Sequence, residues 1–164
     1  MSAPNYDVRN PFVGIDGYQC FGCDPENAVG LALEFRREGD VVTTEWRPRP
    51  ELEGYPGVVH GGIQATLADE IGGWYVYAII GTAGVTKDLA ITYESSARVV
   101  DGPLRIVARG LERSEKHAVI EVEIHNASGT RCAIARLTYA LFSEAVARKR
   151  LFFPGREAFL PEDS

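Results

Sequence analysis

Two neighbouring carboxylic acids, Asp69 and Glu70, lie in a mostly apolar stretch, VVHGGIQATLADEIGGW, at residues 58–74. Burying an unpaired carboxylate is costly, so an acid in such surroundings indicates a specific partner or a specific task. The same stretch contains Gly61 and Gly62, where a helix would begin. The first turn of a helix has free N–H donors, which together with the helix dipole favour a negatively charged oxygen. The stretch therefore predicts chemistry on a carbonyl group, with Asp69 as the acid and Gly61 as the oxyanion donor.

In a helix over residues 61–80, the apolar residues and Asp69 would lie on different faces. At 3.6 residues per turn, one apolar stripe is predicted to face a sheet. The stripe consists of Ile63, Leu67, Ile71, Trp74 and Ala78. Asp69 belongs to a second face, together with Gly62, Ala65, Gly73 and Val76. Small side chains on that face leave room for a ligand or for another chain. Glu70 lies at the edge of the apolar stripe, where we favour an ion pair over a part in the chemistry.

The distance between the two reactive groups predicts an oligomer. Gly61 and Asp69 are eight residues apart, which corresponds to roughly 12 Å along a helix. An oxyanion donor and an attacking acid must both lie about 3 Å from the reacting group. We therefore expect at least a dimer, with two sites across its interface, in which Gly61 of one chain faces Asp69 of the other.

The remaining segments predict a sheet for this helix. Alternation of apolar and polar residues predicts six strands, at residues 31–37, 41–46, 86–94, 103–111, 117–125 and 130–142. Only one long helix is available to cover the apolar face of the sheet, so the helix must lie across it. The sequence thus predicts an α+β fold, an antiparallel sheet wrapped around one helix. The short gaps between the last four strands favour a meander.

The ends of the chain are predicted to lie outside the domain formed by residues 20–144. Residues 1–19 are rich in Pro, Gly and Asn and predict an irregular lead-in. Residues 145–164 are predicted to form a tail, with a short helix or an arm at 145–154 and a loose end after it. The total length of 164 residues suits one domain.

Composition excludes several classes of protein. The formal net charge of -6 argues against a nucleic-acid binder, which normally has a basic patch. The first residues have no basic segment followed by an apolar run, so no signal peptide is predicted. No apolar run approaches the ~20 residues of a membrane-spanning helix. Three cysteines are too few for a disulfide scaffold. We therefore expect a soluble, cytoplasmic protein that binds neither nucleic acid nor membrane.

The stretch CFGC contains a C-x-x-C pair, Cys20 and Cys23. A structural zinc site usually needs four ligands, and no second paired spacing exists. The remaining candidates for such a site are Cys132, His60, His117 and His125. We favour a turn with two half-buried thiols over metal or redox chemistry. No metal and no cofactor is predicted.

Three stretches, GYPGVVHGGIQATLADE, CFGCDPENAVGL and GVTKDLAITY, resemble the hotdog-fold acyl-CoA thioesterases of the PaaI-like group. The resemblance covers residues 20–142 and implies a hotdog fold that assembles into homodimers or homotetramers. It also implies that Asp69 is the general base or nucleophile and that the Gly61 N–H binds the thioester oxygen. Thr86 would then orient water, and His60 would position the loop or the thioester.

The resemblance leads us to predict hydrolysis of a small, medium-chain or aromatic acyl-CoA. The residues expected to shape the substrate site are Gly62, Ala65, Glu70, Gly73, Trp74, Tyr75, Tyr77 and Val85. One alternative is a non-catalytic hotdog module that binds acyl-CoA or a lipid-like ligand. Another is a hydratase or dehydratase that uses His60 together with Glu70. The basic residues of the tail suit either the phosphates of coenzyme A or solvent; they are Arg148, Lys149, Arg150 and Arg156.

Overall fold

A computed structural model describes residues 3–162, and residues 1, 2, 163 and 164, at the ends of the predicted lead-in and tail, lie outside the described part. Within it, seven strands form one antiparallel sheet in the order β1-β2-β3-β5-β6-β7-β4. The strands are β1 Asn5–Val8, β2 Phe35–Glu38, β3 Val41–Trp46, β4 Gly84–Tyr93, β5 Leu104–Arg113, β6 His117–His125 and β7 Arg131–Leu141. The helices are α1 Gly61–Tyr75 and α2 Glu144–Leu151. Short 3-10 turns occupy Pro50–Leu52, Val99–Asp101 and Arg156–Phe159.

The core lies between α1 and the central strands. Leu67 and Ile71 are fully buried on the face of α1 towards the sheet. Burial of side chains of this size contributes about 1.5–3 kcal/mol each. The facing side chains of β5 and β6 alternate as predicted, and the buried ones are Leu104, Ile106, Ala108, Ala118, Ile120, Val122 and Ile124. The predicted α+β arrangement and the predicted stripe are confirmed, except that Ile63 is only partly buried.

The helical segment extends to Ile80 as predicted, but its last turn is not α-helical. The α-helical pattern ends at Tyr75, and a π-helical turn continues over Val76–Ile80. Gly81 ends the helix with a φ of 82°, a conformation that glycine adopts without strain. Val76 is buried, so it does not belong to the partly exposed face that carries Asp69. No helix within residues 3–162 is long and apolar enough to span a membrane.

The predicted meander is wrong for β4. Strands β5, β6 and β7 pair consecutively, whereas β4 pairs with β7 on the far side of the sheet. The connection 94–103 is long enough to carry the chain across the sheet to β5. As the last strand in the order, β4 has one unpaired edge. Most of its residues are exposed, which suits an edge position rather than a central one.

Two predictions for the N-terminal part need correction. Asn5–Val8 pairs with β2, so residues 1–19 are not irregular throughout. β2 begins at Phe35 rather than at residue 31, although Leu31 and Leu33 are buried as the alternation predicts. Ala32 has a φ of 51°, which interrupts the extended backbone before β2.

The tail joins the core instead of remaining loose. The short helix predicted there is confirmed as α2. Phe153 and Phe159 are buried, and the Phe159 ring stacks on Tyr77 at a centroid distance of 4.8 Å. Phe159 also meets Trp74 edge-on at 5.7 Å. The residues after α2 therefore close one end of the core through aromatic contacts.

Replacing Phe159 by alanine should lower the free energy of unfolding by about 3–5 kcal/mol, because a buried ring leaves a cavity. Phe152→Ala is the matched control, since that ring is 80% exposed; its effect should stay within about 0.5 kcal/mol. Urea unfolding at one fixed protein concentration measures both variants. A loss within about 0.5 kcal/mol in Phe159→Ala, as in the control, would contradict a contribution of the tail to the core.

Candidate active site

Asp69 lies in the middle of α1 and is held by side chains from two paired strands. Thr86 Oγ1 donates a hydrogen bond to Asp69 Oδ1 at 2.5 Å. The Tyr139 hydroxyl donates to the backbone carbonyl of Asp69 at 2.7 Å and lies 3.3 Å from Oδ1. Thr86 and Tyr139 are direct partners in the ladder between β4 and β7, so both side chains reach the same carboxylate. Asp69 and Thr86, both predicted for the catalytic site, thus lie in hydrogen-bond contact.

The two oxygens of the Asp69 carboxylate differ in their surroundings. Among residues 3–162, the hydrogen bonds to this side chain reach Oδ1 only. Oδ2 is left to accept a proton or to approach a substrate. Burial raises the pKa of Tyr139 above its ordinary value, and the Asp69 carboxylate adds to the rise. Tyr139 therefore stays protonated and acts as a donor.

The glycines of the helix allow this close contact. A Cβ atom at Gly72 would lie 2.5 Å from the Tyr139 hydroxyl oxygen, so no other residue fits there without displacing the ring. A Cβ atom at Gly73 would meet nothing within 4 Å. Gly73 thus opens space beside Asp69, as its position on the small-residue face predicts, whereas Gly72 permits the packing of Tyr139.

A cavity of about 640 Å³ opens next to Asp69. Five residues predicted for the substrate site line it, namely Glu70, Gly73, Trp74, Tyr77 and Val85. Aromatic and apolar side chains from the lead-in and α2 complete the wall; they include Phe12, Ile15, Tyr18, Leu151 and Phe152. Gly62, Ala65 and Tyr75, which are also predicted for the substrate site, do not line this cavity.

The predicted oxyanion donor lies at the other end of α1. Gly62 N–H donates to His60 Nδ1 at 2.9 Å, so His60 caps the helix. Ile63 N–H donates to the His60 carbonyl. The hydrogen bonds described for residues 3–162 include none from Gly61 N–H, which is consequently available to a ligand. The Tyr93 hydroxyl donates to the Gly61 carbonyl at 2.7 Å.

Gly61 and Asp69 face different cavities. A second cavity of about 830 Å³ is lined by residues that include His60, Gly61, Gln64 and Tyr93. None of its lining residues belongs to the cavity at Asp69. Within one chain, the structure therefore brings Asp69 together with Thr86 but not with Gly61 or His60.

Glu70 has different partners from those predicted. Glu70 Oε1 accepts hydrogen bonds from Trp74 Nε1 at 3.1 Å and from Cys20 Sγ at 3.3 Å. No ion pair within residues 3–162 includes Glu70, so the predicted ion pair is wrong. The indole N–H and the thiol lie within hydrogen-bond distance of this carboxylate.

The cysteine pair forms the predicted turn. Cys23 is buried, Cys20 is partly exposed, and Cys23 Sγ donates to Cys20 Sγ at 3.2 Å. The hydrogen bond from Cys23 lowers the pKa of the Cys20 thiol. Donation of that bond, together with burial, raises the pKa of Cys23. Both sulfur atoms lie at the wall of the cavity next to Asp69.

Tyr139 is a residue of the site that the sequence did not indicate. A tyrosine in an alternating strand is most often a packing residue, and its contact with Asp69 depends on the register between β4 and β7. The lead-in side chains were missed for a similar reason, because Phe12 and Tyr18 lie in irregular segments without a periodic signal.

Comparison with known proteins identifies related sequences. The family model described as the thioesterase superfamily matches residues 56–133, which include Gly61, Asp69 and Thr86. The chain is 31% identical over 121 residues to 1,4-dihydroxy-2-naphthoyl-CoA hydrolase of Escherichia coli K12, covering 70% of this chain and 86% of that protein.

Solved structures agree with this result. A thioesterase protein of Streptococcus pneumoniae TIGR4, solved with coenzyme A, has a TM-score of 0.60 and 27% identity, covering 64% of this chain and 83% of that one. Thioesterase superfamily member 2 of zebra fish has a TM-score of 0.60 and 28% identity, covering 67% of this chain and 81% of that one. The predicted hotdog fold is confirmed.

The two neighbouring glycines of α1 provide a test of the site geometry. Gly72→Ala should destabilise the protein by about 1–3 kcal/mol, because the added methyl group overlaps Tyr139. Gly73→Ala should instead stabilise it by about 0.5–1 kcal/mol, since alanine is the better helix former and its Cβ meets open space. Chemical denaturation of both variants measures the difference. A loss of stability in Gly73→Ala as large as in Gly72→Ala would contradict the described packing.

Proposed function

Because the chain belongs to the thioesterase superfamily and is a thioester hydrolase, we propose that its substrates are acyl-CoA thioesters and that Asp69 is the catalytic base or nucleophile. The proposal rests on how the two oxygens of the Asp69 carboxylate are hydrogen-bonded. One oxygen is held by Thr86 and Tyr139, while the other is left without a donor beside an apolar cavity. A carboxylate fixed in this way is prepared either to accept a proton from water or to attack a carbonyl carbon.

In the first route, water attacks the thioester carbonyl and Asp69 accepts the proton that the water loses. The carbonyl oxygen becomes an oxyanion, which the Gly61 N–H stabilises. The carbon–sulfur bond then breaks, and the thiolate of coenzyme A takes up the proton from Asp69. In the second route, Asp69 attacks the carbonyl directly, and the carbon–sulfur bond breaks to release the coenzyme A thiolate and leave an acyl anhydride on Asp69. Water then hydrolyses this anhydride, which restores the Asp69 carboxylate, and the proton that the water loses goes to the thiolate. Both routes yield the free acid and coenzyme A.

The oxyanion donor belongs, in this proposal, to a second copy of the chain. The free edge of β4 supports such an assembly, since an unpaired edge is a template for another strand. Thr86 lies near one end of β4, beside Asp69, and Tyr93 ends it, beside Gly61. Two copies of β4 paired antiparallel about the middle of the strand would bring the Thr86 end of one strand beside the Tyr93 end of the other. The Asp69 end of each chain then meets the Gly61 end of its partner.

The middle of α1 also suits a position at the two-fold axis. Ala65 is midway between Gly61 and Asp69, is partly exposed and lines neither of the two cavities. A small residue at the midpoint allows two antiparallel α1 helices to approach closely at a two-fold axis. We therefore assign Ala65 to the subunit interface rather than to the acyl cavity. The same arrangement is compatible with a dimer and with a tetramer built from two such dimers.

The cavity next to Asp69 suits an aromatic or medium-chain acyl group. Its volume of about 640 Å³ and its walls of Phe12, Tyr18, Trp74 and Tyr77 favour a flat, apolar guest. The name of the Escherichia coli relative, a hydrolase of 1,4-dihydroxy-2-naphthoyl-CoA, supports the aromatic class. A hydratase that uses His60 with Glu70 receives no support within one chain, because these residues line different cavities.

Thiol release from a panel of acetyl-, octanoyl-, palmitoyl-, benzoyl- and naphthoyl-CoA tests the proposal. Asp69→Asn should lower kcat/KM by about a hundredfold or more, because it removes the base or nucleophile and keeps the volume. Asp40→Asn, in the exposed turn between β2 and β3 and away from both cavities, is the matched control and should retain wild-type activity.

The same panel distinguishes thioester hydrolysis from the rival function, which is binding of acyl-CoA without catalysis. Turnover that is fastest with the aromatic or octanoyl esters supports the proposed cavity. Binding of acyl-CoA without thiol release, by a folded dimer of the wild-type chain, would overturn the proposal and favour a non-catalytic binding module.

A further inference from the structure

Three metal-ligating side chains converge at one wall of the cavity, outside the hydrolytic group. Cys20 and Cys23 come from the turn before β2, and Glu70 comes from α1. Their ligand atoms all lie within 4.8 Å of one another. Cys20 Sγ lies 3.2 Å from Cys23 Sγ and 3.3 Å from Glu70 Oε1. The reaction proposed above uses none of these three residues.

Hydrogen-bond donors surround the cluster. Trp74 Nε1 donates to Glu70 Oε1 at 3.1 Å, and the Tyr18 hydroxyl lies 2.9 Å from Cys23 Sγ. Asn10 Nδ2 supports the turn by donating to the Cys23 carbonyl at 3.0 Å. Donors that orient the first ligands are typical of metal sites, where they fix the geometry and tune the affinity.

The turn also approaches the helix more closely than a side chain at position 22 would permit. A Cβ atom at Gly22 would lie 2.3 Å from the Glu70 carboxyl carbon. The glycine between the two cysteines therefore allows both thiols to reach the carboxylate. No cation of the protein lies in an ion pair with Glu70 within the described residues, so a metal ion would supply the missing positive charge.

We propose that Cys20, Cys23 and Glu70 bind one Zn²⁺ ion, with the fourth coordination position open to the cavity and filled by water. Two thiolates with C-x-x-C spacing and one carboxylate are ligands that zinc accepts in tetrahedral geometry. Zn–S bonds of about 2.3 Å at tetrahedral angles place two sulfur atoms about 3.8 Å apart. The observed separation of 3.2 Å needs a shift of well under 1 Å to reach that value.

Binding exchanges protons for metal. The two thiols lose one proton each to solvent as the two S–Zn bonds form, and a Glu70 carboxylate oxygen provides the third protein ligand. The ion would tie the turn at residues 20–23 to α1 one residue from Asp69. It would thereby fix the wall of the cavity that Phe12 and Tyr18 complete. This role is separate from hydrolysis, so it stands or falls independently of the function proposed for Asp69.

Titration of the reduced, metal-free protein with Co²⁺ tests the site directly. Cobalt bound by two thiolates in tetrahedral geometry gives a sulfur-to-cobalt charge-transfer band and intense visible bands. We expect one equivalent of Co²⁺ per chain to produce these bands, and one equivalent of Zn²⁺ to remove them. Zinc content of the protein purified without chelator, measured by mass spectrometry, should also approach one ion per chain.

Variants identify the ligands. Cys20→Ser should weaken Co²⁺ binding by about a hundredfold or more and Glu70→Gln by about tenfold, since each loses one ligand. Cys132→Ala is the matched control, because this third cysteine is buried elsewhere and should leave the titration unchanged. Near-ultraviolet circular dichroism establishes that each variant is folded.

If the variants fail to fold, the Co²⁺ titration of the wild-type protein still tests the proposal by itself. Absence of thiolate bands in the reduced wild-type protein would overturn it, as would identical bands in folded Cys20→Ser. Isolation of the chain with a Cys20–Cys23 disulfide that persists when zinc is supplied under reducing conditions would also overturn it. That last result would identify the pair as a stable structural disulfide.

Discussion

The hydrogen bonds that join Asp69 to Thr86 and Tyr139 connect the three parts of the molecule on which the site depends. The carboxylate belongs to the helix, and its two donors belong to neighbouring strands at the edge of the sheet. A carboxylate in this half-buried position is costly unless it is hydrogen-bonded. The two hydroxyl groups offset that cost at one oxygen and leave the other free to react. The requirement also explains the glycine-rich helix, because Gly72 must lack a side chain for Tyr139 to reach Asp69.

The length of the helix imposes a second constraint. The available N–H at Gly61 and the carboxylate of Asp69 belong to opposite ends of one element and to different cavities. Neither cavity alone contains both the proposed oxyanion donor and the proposed catalytic carboxylate. The edge strand β4 contacts Asp69 through Thr86 near one end and Gly61 through Tyr93 at the other. A two-fold assembly through this edge would therefore bring the two groups of different chains together. The geometry of a single chain thus favours catalysis at a subunit interface.

Local periodicity was sufficient to predict much of the fold. The helix stripe with Leu67 and Ile71 and the alternation of residues 117–125 follow directly from the spacing of apolar residues. The placement of β4 beside β7 could not be predicted, because strand order is set by contacts between distant segments. Phe159 was missed because an isolated aromatic residue in a polar tail has no period that would reveal its burial.

The same distinction applies to the candidate site. Asp69, Gly61 and Thr86 were predicted from the acid-containing helix and from the family resemblance carried by short stretches. Tyr139 could be found only from the register of two strands far apart in sequence. The partners of Glu70 were mispredicted, because helical geometry placed it at the edge of the core but contained no information about the turn with Cys20.

Mixed assembly of two inactive variants tests most directly whether Asp69 and Gly61 act from different chains. Gly61→Pro removes the N–H donor at the first helical position, where proline fits after a residue with His60's extended ψ of 136°. Gly61→Ala is its control, since it adds the same crowding at Tyr93 but keeps the donor. Co-refolding Gly61→Pro with Asp69→Asn should restore about a quarter of wild-type activity, because half of the dimers are mixed and each has one intact site. Activity that stays at the sum of the two separate variants would contradict a site shared between subunits.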